Sequence, residues 1–168
     1  MEVEHLFEVG DKVVYPMHGA GVIKAIEEKE LFGKKQSFLI MAFPVKNIQV
    51  MIPISKIDHS GMRLVLEQSA MEQVIYTVQR GDMDQSLDYK QRFKQNTEKM
   101  KTGETSAGAE VIRDLMIVKQ VKPLNSNEKT MLREAMQFLI SEIEMSNSLT
   151  EQQASDLFNE HFKAEKIG

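Results

Sequence analysis

The stretch from Ser86 to Gly103 carries the side chains with the clearest binding chemistry. In a helix, Tyr89, Phe93 and Met100 fall within about 40° of one another, because successive residues turn by about 100°. Cations border this strip: Lys90, Lys94 and Lys101 on one flank, Arg92 and Lys99 on the other. Cations neutralise phosphates and a flat apolar group meets bases or sugars, so the pattern fits nucleic acid. A helix that packs the strip inward, with lysine stems around the seam, would show the same pattern.

Residues that could catalyse a reaction or hold a metal are scattered. The chain has no cysteine, which excludes thiolate metal sites and cysteine nucleophiles. The four histidines show no paired ligand spacing, and no phosphate-binding glycine loop or nucleophile elbow occurs. No carboxylate lies in an apolar setting that would tune its pKa for acid–base catalysis. We therefore expect no enzyme, no cofactor and no metal site.

The hydrophobic period changes near residue 66, which predicts a β-rich part followed by a helical part. Before that point, short β-branched and aromatic runs alternate with glycine turns, which favours a small, bent antiparallel sheet or barrel. The predicted strands are Lys12–Pro16, Gly21–Ile26, Gln36–Phe43 and Ile48–Ile54. The change should fall between Arg63 and Ser69, with no strand of four or more residues after Ser69.

Five helices are predicted after residue 66, each with a capping signal or a sharp end. The expected N-terminal caps are Ser69 with Glu72, Ser86, Asn125 with Glu128, and Thr150 with Gln153; the third helix spans roughly Ser106 to Val121. The fourth helix has an apolar face of Leu132, Ala135, Met136, Leu139, Ile140 and Ile143, and the fifth one of Ala154, Leu157, Phe158 and Phe162. The fold class is therefore α+β.

The net charge of −4 conceals local patches. Tyr89–Lys101 holds five basic residues against one acidic, whereas Glu134–Glu165 holds seven acidic against one basic. Because binding follows local charge, an acidic total does not exclude nucleic acid. The acidic N-terminus is unlike a signal peptide, and no apolar run approaches the roughly 18 residues that span a bilayer. We expect a cytoplasmic protein without membrane contact.

Five ordered motifs resemble the CarD/CdnL bacterial transcription factors. The first runs from Phe7 to Glu27 and reads F-x-V-G-D-x-V-V-Y-P-x-H-G-A-G-V-I-x-A-I-E. The others are the V-x-x-P stretch ending at Pro53, Y-K-Q-R-F-K-Q-N-x-E-K-M from Tyr89, A-E-V-I-R-D-L over Ala109–Leu115, and N-E-K-x-M-L over Asn127–Leu132. The resemblance covers nearly the whole chain in the family's order.

The resemblance implies two domains with different partners. Residues 1–66 would form a Tudor-like β-barrel that binds the RNA polymerase β subunit, as in transcription-repair coupling factor. Residues 67–168 would form a helical domain that contacts promoter DNA at the upstream fork of the bubble. In the family, a tryptophan wedges there at the minor groove, without sequence specificity, and stabilises the open complex. The protein would then be associated with the nucleoid through RNA polymerase.

The residues carried over from the family form two sets. Those for polymerase are Lys29, Met51 and Pro53, and those for DNA are Tyr89, Lys90, Arg92, Lys94 and Lys129. The chain has no tryptophan, so Tyr89 stands at the wedge position, and Met51 stands where relatives carry a basic residue. A buried tyrosine at the helix start is the alternative for Tyr89. The alternative for the whole chain is a Tudor-like adaptor whose helices pack or dimerise without touching DNA.

Overall fold

A computed structural model describes residues 7–147, 150 and 152, and shows strands followed by helices. The strands are β1 (Lys12–Tyr15), β2 (Gly19–Leu31), β3 (Lys34–Phe43), β4 (Ile48–Pro53) and β5 (Arg63–Leu64). The helices are α1 (Gln68–Arg80), α2 (Tyr89–Thr102), α3 (Thr105–Val121) and α4 (Ser126–Asn147). This order confirms the α+β prediction, and within the described residues no strand follows β5. The predicted fifth helix lies outside the described residues, and the division into two domains stays a prediction.

The five strands form one antiparallel sheet in the order β4-β3-β2-β1-β5. The predicted strands are present, but β2 continues past Ile26 to Leu31, because its charged second half pairs with β3 around a tight turn. Phe32 and Gly33 both have positive φ in that turn, which matches the right-handed twist of a hairpin. A 3-10 helix (Ile54–His59) and the two-residue β5 carry no sequence pattern that predicted them. The likeness to a Tudor barrel stays a prediction.

One face of the sheet encloses an apolar core, and the helices build a second one. The sheet core consists of Phe7, Val13, Ile23, Leu39, Met41, Phe43, Ile52, Ile57 and Met62. The helical core includes Met71, Ile75, Val78, Met100, Ile112, Leu115, Leu132, Ala135, Leu139 and Ile143. The predicted apolar face of the fourth helix is therefore largely buried, as an amphipathic helix requires.

Two of the predicted helix caps are wrong. The first helix begins at Gln68, so Ser69 lies in its first turn and caps nothing. The backbone N–H of Leu66, just before that helix, donates to Glu142 of α4, and this long-range bond holds the chain where it enters α1. Ser86 bonds to Asp84, and Asp88 caps α2 instead, in a reciprocal capping box with Gln91.

The remaining described helix ends agree with the sequence. Asn125 accepts a hydrogen bond from the backbone N–H of Glu128 and caps α4 as predicted. Gly103 ends α2 with a φ of +71°, and a Cβ there would lie 2.8 Å from Pro16, in the turn that follows β1. Glycine therefore serves both the left-handed turn and the close approach.

A buried ion pair joins the sheet to the helices. Arg63 of β5 donates from Nη1 and Nη2 to the two carboxylate oxygens of Glu142 at 2.8 and 2.9 Å. The same guanidinium donates to the carbonyl oxygen of Gly103 and to the hydroxyl of Thr105. Bidentate pairs of this kind fix orientation as well as distance. The pair therefore sets the position of α3 and α4 relative to the sheet.

Candidate functional site

The three residues expected to face polymerase share one surface of the sheet. In the strand register, Lys29 pairs with Gln36, Pro53 with Phe38 and Met51 with Ile40. Alternate residues of a strand point to the same face, so positions 36, 38 and 40 of β3 align their partners on that face. We call Lys29, Met51 and Pro53 the outer sheet surface, because this face lies opposite the sheet core.

The outer sheet surface is accessible. Met51 is 47% exposed and Pro53 is half-buried. Lys29 has only a long 4.0 Å contact with Glu27, and both side chains are about half exposed. An ion pair of this kind contributes little and leaves the ammonium group available. No sequence pattern marked Phe32 as a candidate binding residue; it lies at the hairpin tip and is fully exposed.

Tyr89 is the first residue of α2 and is half-buried. Its ring stacks on that of Phe93 at a centroid distance of 5.9 Å and an interplanar angle of 26°. The Arg92 guanidinium lies 5.8 Å from the centre of the Tyr89 ring. The tyrosine is thus neither a buried core residue nor a freely exposed one.

The two cationic flanks of α2 have different surroundings. Lys90 and Lys94 are exposed, and neither has an ion-pair partner within residues 7–147. On the other flank, Lys99 pairs with Glu110 of α3 at 2.9 Å. Asn96 and Met100 are buried, so the helix turns its Arg92–Lys99 side toward the protein.

Arg92 does not stand free on the surface. Its Nε and Nη2 atoms donate to the two carboxylate oxygens of Glu128 at 2.8 and 3.1 Å, and Glu128 is only 2% exposed. The hydrogen bond to Glu128 raises the pKa of Arg92 above its ordinary value, although burial of the guanidinium opposes this. The Arg92 guanidinium therefore holds α2 against α4.

Buried carboxylates correct the expectation that none lies in an apolar setting. Glu128 and Glu142 are buried against arginines, and burial raises the pKa of Asp114, although a hydrogen bond from Arg113 opposes the shift. Each of these acids contacts an arginine, which indicates a structural role. Within the described residues, no group of three histidine or acidic side chains could hold a metal ion.

Lys129 lies on the first turn of α4, next to Glu128 in sequence. Because Glu128 contacts Arg92, the start of α4 is held close to the start of α2. Lys129 is exposed and has no ion-pair partner in the part of the chain that the structure describes. The Arg92–Glu128 pair thus holds the start of α4 against α2, while Lys129 lines a groove with Lys122, Leu132 and Arg133 on the side toward the end of α3. No described helix is long and apolar enough to cross a bilayer.

Comparison with known proteins gives matches over both parts of the chain. Residues 7–66 match the family model described as the CarD-like/TRCF RID domain, and residues 73–159 match the CarD C-terminal domain. A Bacillus subtilis (strain 168) protein, YdeB, whose name classes it as a transcription factor, is 49% identical over 148 residues. That alignment covers 88% of this chain and 97% of YdeB. The solution structure of the N-terminal domain of Myxococcus xanthus CarD is 38% identical, covers 34% of this chain and 77% of that domain, and has a TM-score of 0.30.

Proposed function

The chain belongs to the family of CarD-like transcription factors, and from that premise we propose that it binds RNA polymerase and stabilises promoter open complexes. Its class is that of a transcription factor and not of an enzyme. The outer sheet surface would dock on the polymerase β subunit, and the start of α2 with Lys129 would contact promoter DNA. The two surfaces lie on parts of the chain that the Arg63–Glu142 pair connects.

Polymerase docking is supported by the register of the sheet. Lys29, Met51 and Pro53 come from two strands that do not pair with each other, yet β3 aligns all three on one accessible face. The strand β4 also lies at an end of the sheet, so part of its backbone is open to pairing with a partner strand. A mixed surface of one cation and two apolar groups beside an open edge suits a protein partner.

The proposed contact with DNA depends on three exposed lysines, two on α2 and one at the start of α4. Lys90, Lys94 and Lys129 have no carboxylate partner among the described residues and can neutralise phosphates. Tyr89 presents a flat ring beside them, which can stack or wedge at a base step near the upstream fork, on the minor-groove side. Arg92 has a different role in this proposal, because it positions α2 on α4 through Glu128.

The mechanism follows from differential binding. A factor held on polymerase that contacts DNA better in the melted promoter than in the closed one shifts the equilibrium toward the open complex. The phosphate contacts supply affinity without sequence preference. We therefore expect the change in open-complex lifetime to differ between promoters, according to the stability of each open complex without the factor.

An adaptor that binds only protein is the second candidate. The stacking of Tyr89 on Phe93 and the lack of any tryptophan favour it, because the ring then serves helix packing. Both candidates predict that the full chain captures core polymerase. Only DNA contact predicts a longer open-complex lifetime.

The deciding experiment measures the lifetime of open complexes on one promoter after a competitor is added, with and without the full chain. We expect a longer lifetime and a protected region that extends upstream of the bubble. An unchanged lifetime at a concentration that saturates polymerase would support the adaptor and exclude stabilisation of that open complex.

A further inference from the structure

The outer half of the β2–β3 hairpin projects from the sheet as a two-stranded ribbon, which we call the hairpin arm. All residues from 26 to 36 are exposed. Among the described strands, β1 pairs with β2 only as far as Val22, and β4 pairs with β3 only back to Phe38. Lys34 lies four residues before Phe38, so the arm extends about 13 Å beyond the end of β4. A two-stranded ribbon of this kind has no core in which to bury its own apolar side chains.

Phe32 at the tip of the arm is unfavourably placed in two independent respects. Its side chain is fully exposed. Its φ is +53°, in the left-handed region that a bulky residue rarely adopts and that asparagine or glycine favours in a hairpin turn. Neither its backbone conformation nor burial of its ring therefore stabilises the folded chain. A strained and exposed aromatic residue of this kind points to a contact outside the chain.

The side chains next to Phe32 differ between the two faces of the arm. Leu31 pairs with Lys34, and Lys29 lies two residues before Leu31, so strand alternation places all three on the outer face of the sheet. Leu31 is 41% exposed. The tip thus presents two apolar side chains flanked by two cations on this face. The opposite face of the arm carries Glu28, Glu30 and Lys35.

We propose that Phe32 anchors the chain by inserting into an apolar pocket of the RNA polymerase β subunit whose rim carries carboxylates. This inference rests on the docking of the outer sheet surface proposed above, which the hairpin arm would extend. Lys29 belongs to both the arm and that surface and lies three residues, or about 10 Å, from Phe32. One partner can therefore contact both at the same time.

The charges of the tip favour this partner over a second copy of the chain. Two tips that packed their outer faces together would bring Lys29 and Lys34 of each copy close to those of the other, and such like charges repel. A pocket with a carboxylate rim attracts the same lysines and covers the aromatic ring. Buried aromatic anchors of this kind dominate the energy of many protein interfaces.

The first test measures the affinity of the full chain for core polymerase. Phe32→Asn should weaken binding by at least about tenfold, as expected for a central aromatic anchor. Its thermal midpoint should not fall, because asparagine adopts a positive φ more readily than phenylalanine does. The matched control is Val121→Asn at the end of α3, which changes an apolar residue that is 83% exposed and should leave the affinity unchanged. Parent-like affinity of Phe32→Asn would overturn the proposal.

The second test identifies what Phe32 contacts. The photoreactive residue p-benzoylphenylalanine in place of Phe32 should cross-link the full chain to the β subunit of core polymerase. In place of Val121 it should give no such cross-link. A cross-link to another subunit, to DNA or to a second copy of the chain would overturn the proposal, as would the lack of any cross-link in the saturated complex.

The third test concerns the rim of the pocket. Lys34→Glu should weaken binding at low salt, because it places a carboxylate against an acidic rim, whereas Lys35→Glu on the opposite face should not. Equal affinities of the two variants would overturn the acidic rim. If the parent chain does not bind core polymerase, the proposed function and this inference fall together. If the parent binds and Phe32→Asn binds equally well, this inference falls alone.

Discussion

The two flanks of α2 carry the same charge in different surroundings. On the inner flank, Arg92 and Lys99 face carboxylates of α4 and α3 at hydrogen-bond distance. On the outer flank, Lys90 and Lys94 have no partner among the described residues. The difference teaches that a basic helix can use some of its cations to hold the fold and leave others for a ligand. Substitutions on each flank should therefore change different properties.

The largest effect is expected on the inner flank. Arg92→Ala leaves the Glu128 carboxylate buried without its partner, and breaking a buried pair in this way costs about 3–5 kcal/mol of unfolding free energy. Urea denaturation monitored by circular dichroism measures it. Lys90→Ala on the outer flank is the control and should stay within about 0.5 kcal/mol of the parent. Equal stabilities of the two variants would contradict the division into flanks.

Tyr89 lies between the two flanks of α2, and its substitution tests whether its ring contacts DNA or serves helix packing. If its ring contacts a base step, Tyr89→Ala removes stacking of about 1–3 kcal/mol and shortens the open-complex lifetime, with little change in thermal midpoint. Tyr89→Trp should lengthen that lifetime. Tyr76→Ala, on an exposed tyrosine of α1, is the control and should leave it unchanged. A folding loss of about 3 kcal/mol or more in Tyr89→Ala would instead assign the ring to helix packing.

An exposed cation on the sheet extends the comparison to the surface that we propose for polymerase docking. Lys29→Glu should weaken binding of the polymerase β subunit by roughly 1–2 kcal/mol, because an interfacial charge then faces a like charge. The control is Lys35→Glu, on the same hairpin but on the opposite face of the sheet. Affinities measured at low salt by biolayer interferometry should separate the two variants. Identical affinities would remove Lys29 from the docking surface.

The smallest effect is expected for one outer-flank lysine. Lys94→Ala should reduce the slope of log affinity for promoter DNA against log salt by about one unit, independent of promoter sequence. Its unfolding free energy should match that of the parent. Lys56→Ala, in the 3-10 helix of the sheet half, serves as the control. A parent-like slope for Lys94→Ala would mean that this side chain does not meet a phosphate.

Much of the fold could be predicted because its signals are local. The strand runs, the amphipathic face of the fourth helix, Gly103 at the end of α2 and Asn125 before α4 all depend on neighbouring residues. The second half of β2 and the two-residue β5 could not be predicted, because their pairing comes from other strands and not from hydrophobic alternation. The predicted Ser69 cap of α1 was wrong for a related reason: α1 begins without a side-chain cap, and the chain that enters it is held by Glu142, which accepts from the backbone N–H of Leu66 from 76 residues away.

The candidate site also has features that local sequence predicts and features that only long-range contacts decide. Sequence alone determined which residues carry charge and which face of α2 each one occupies. Only the tertiary structure decided that Arg92 is bound by Glu128 while Lys90 and Lys94 have no carboxylate partner among the described residues. It also placed Lys29, Met51 and Pro53 on one face through their common partner strand. Helix and strand periodicity are local geometry, whereas the availability of a charge depends on which distant groups the fold buries against it.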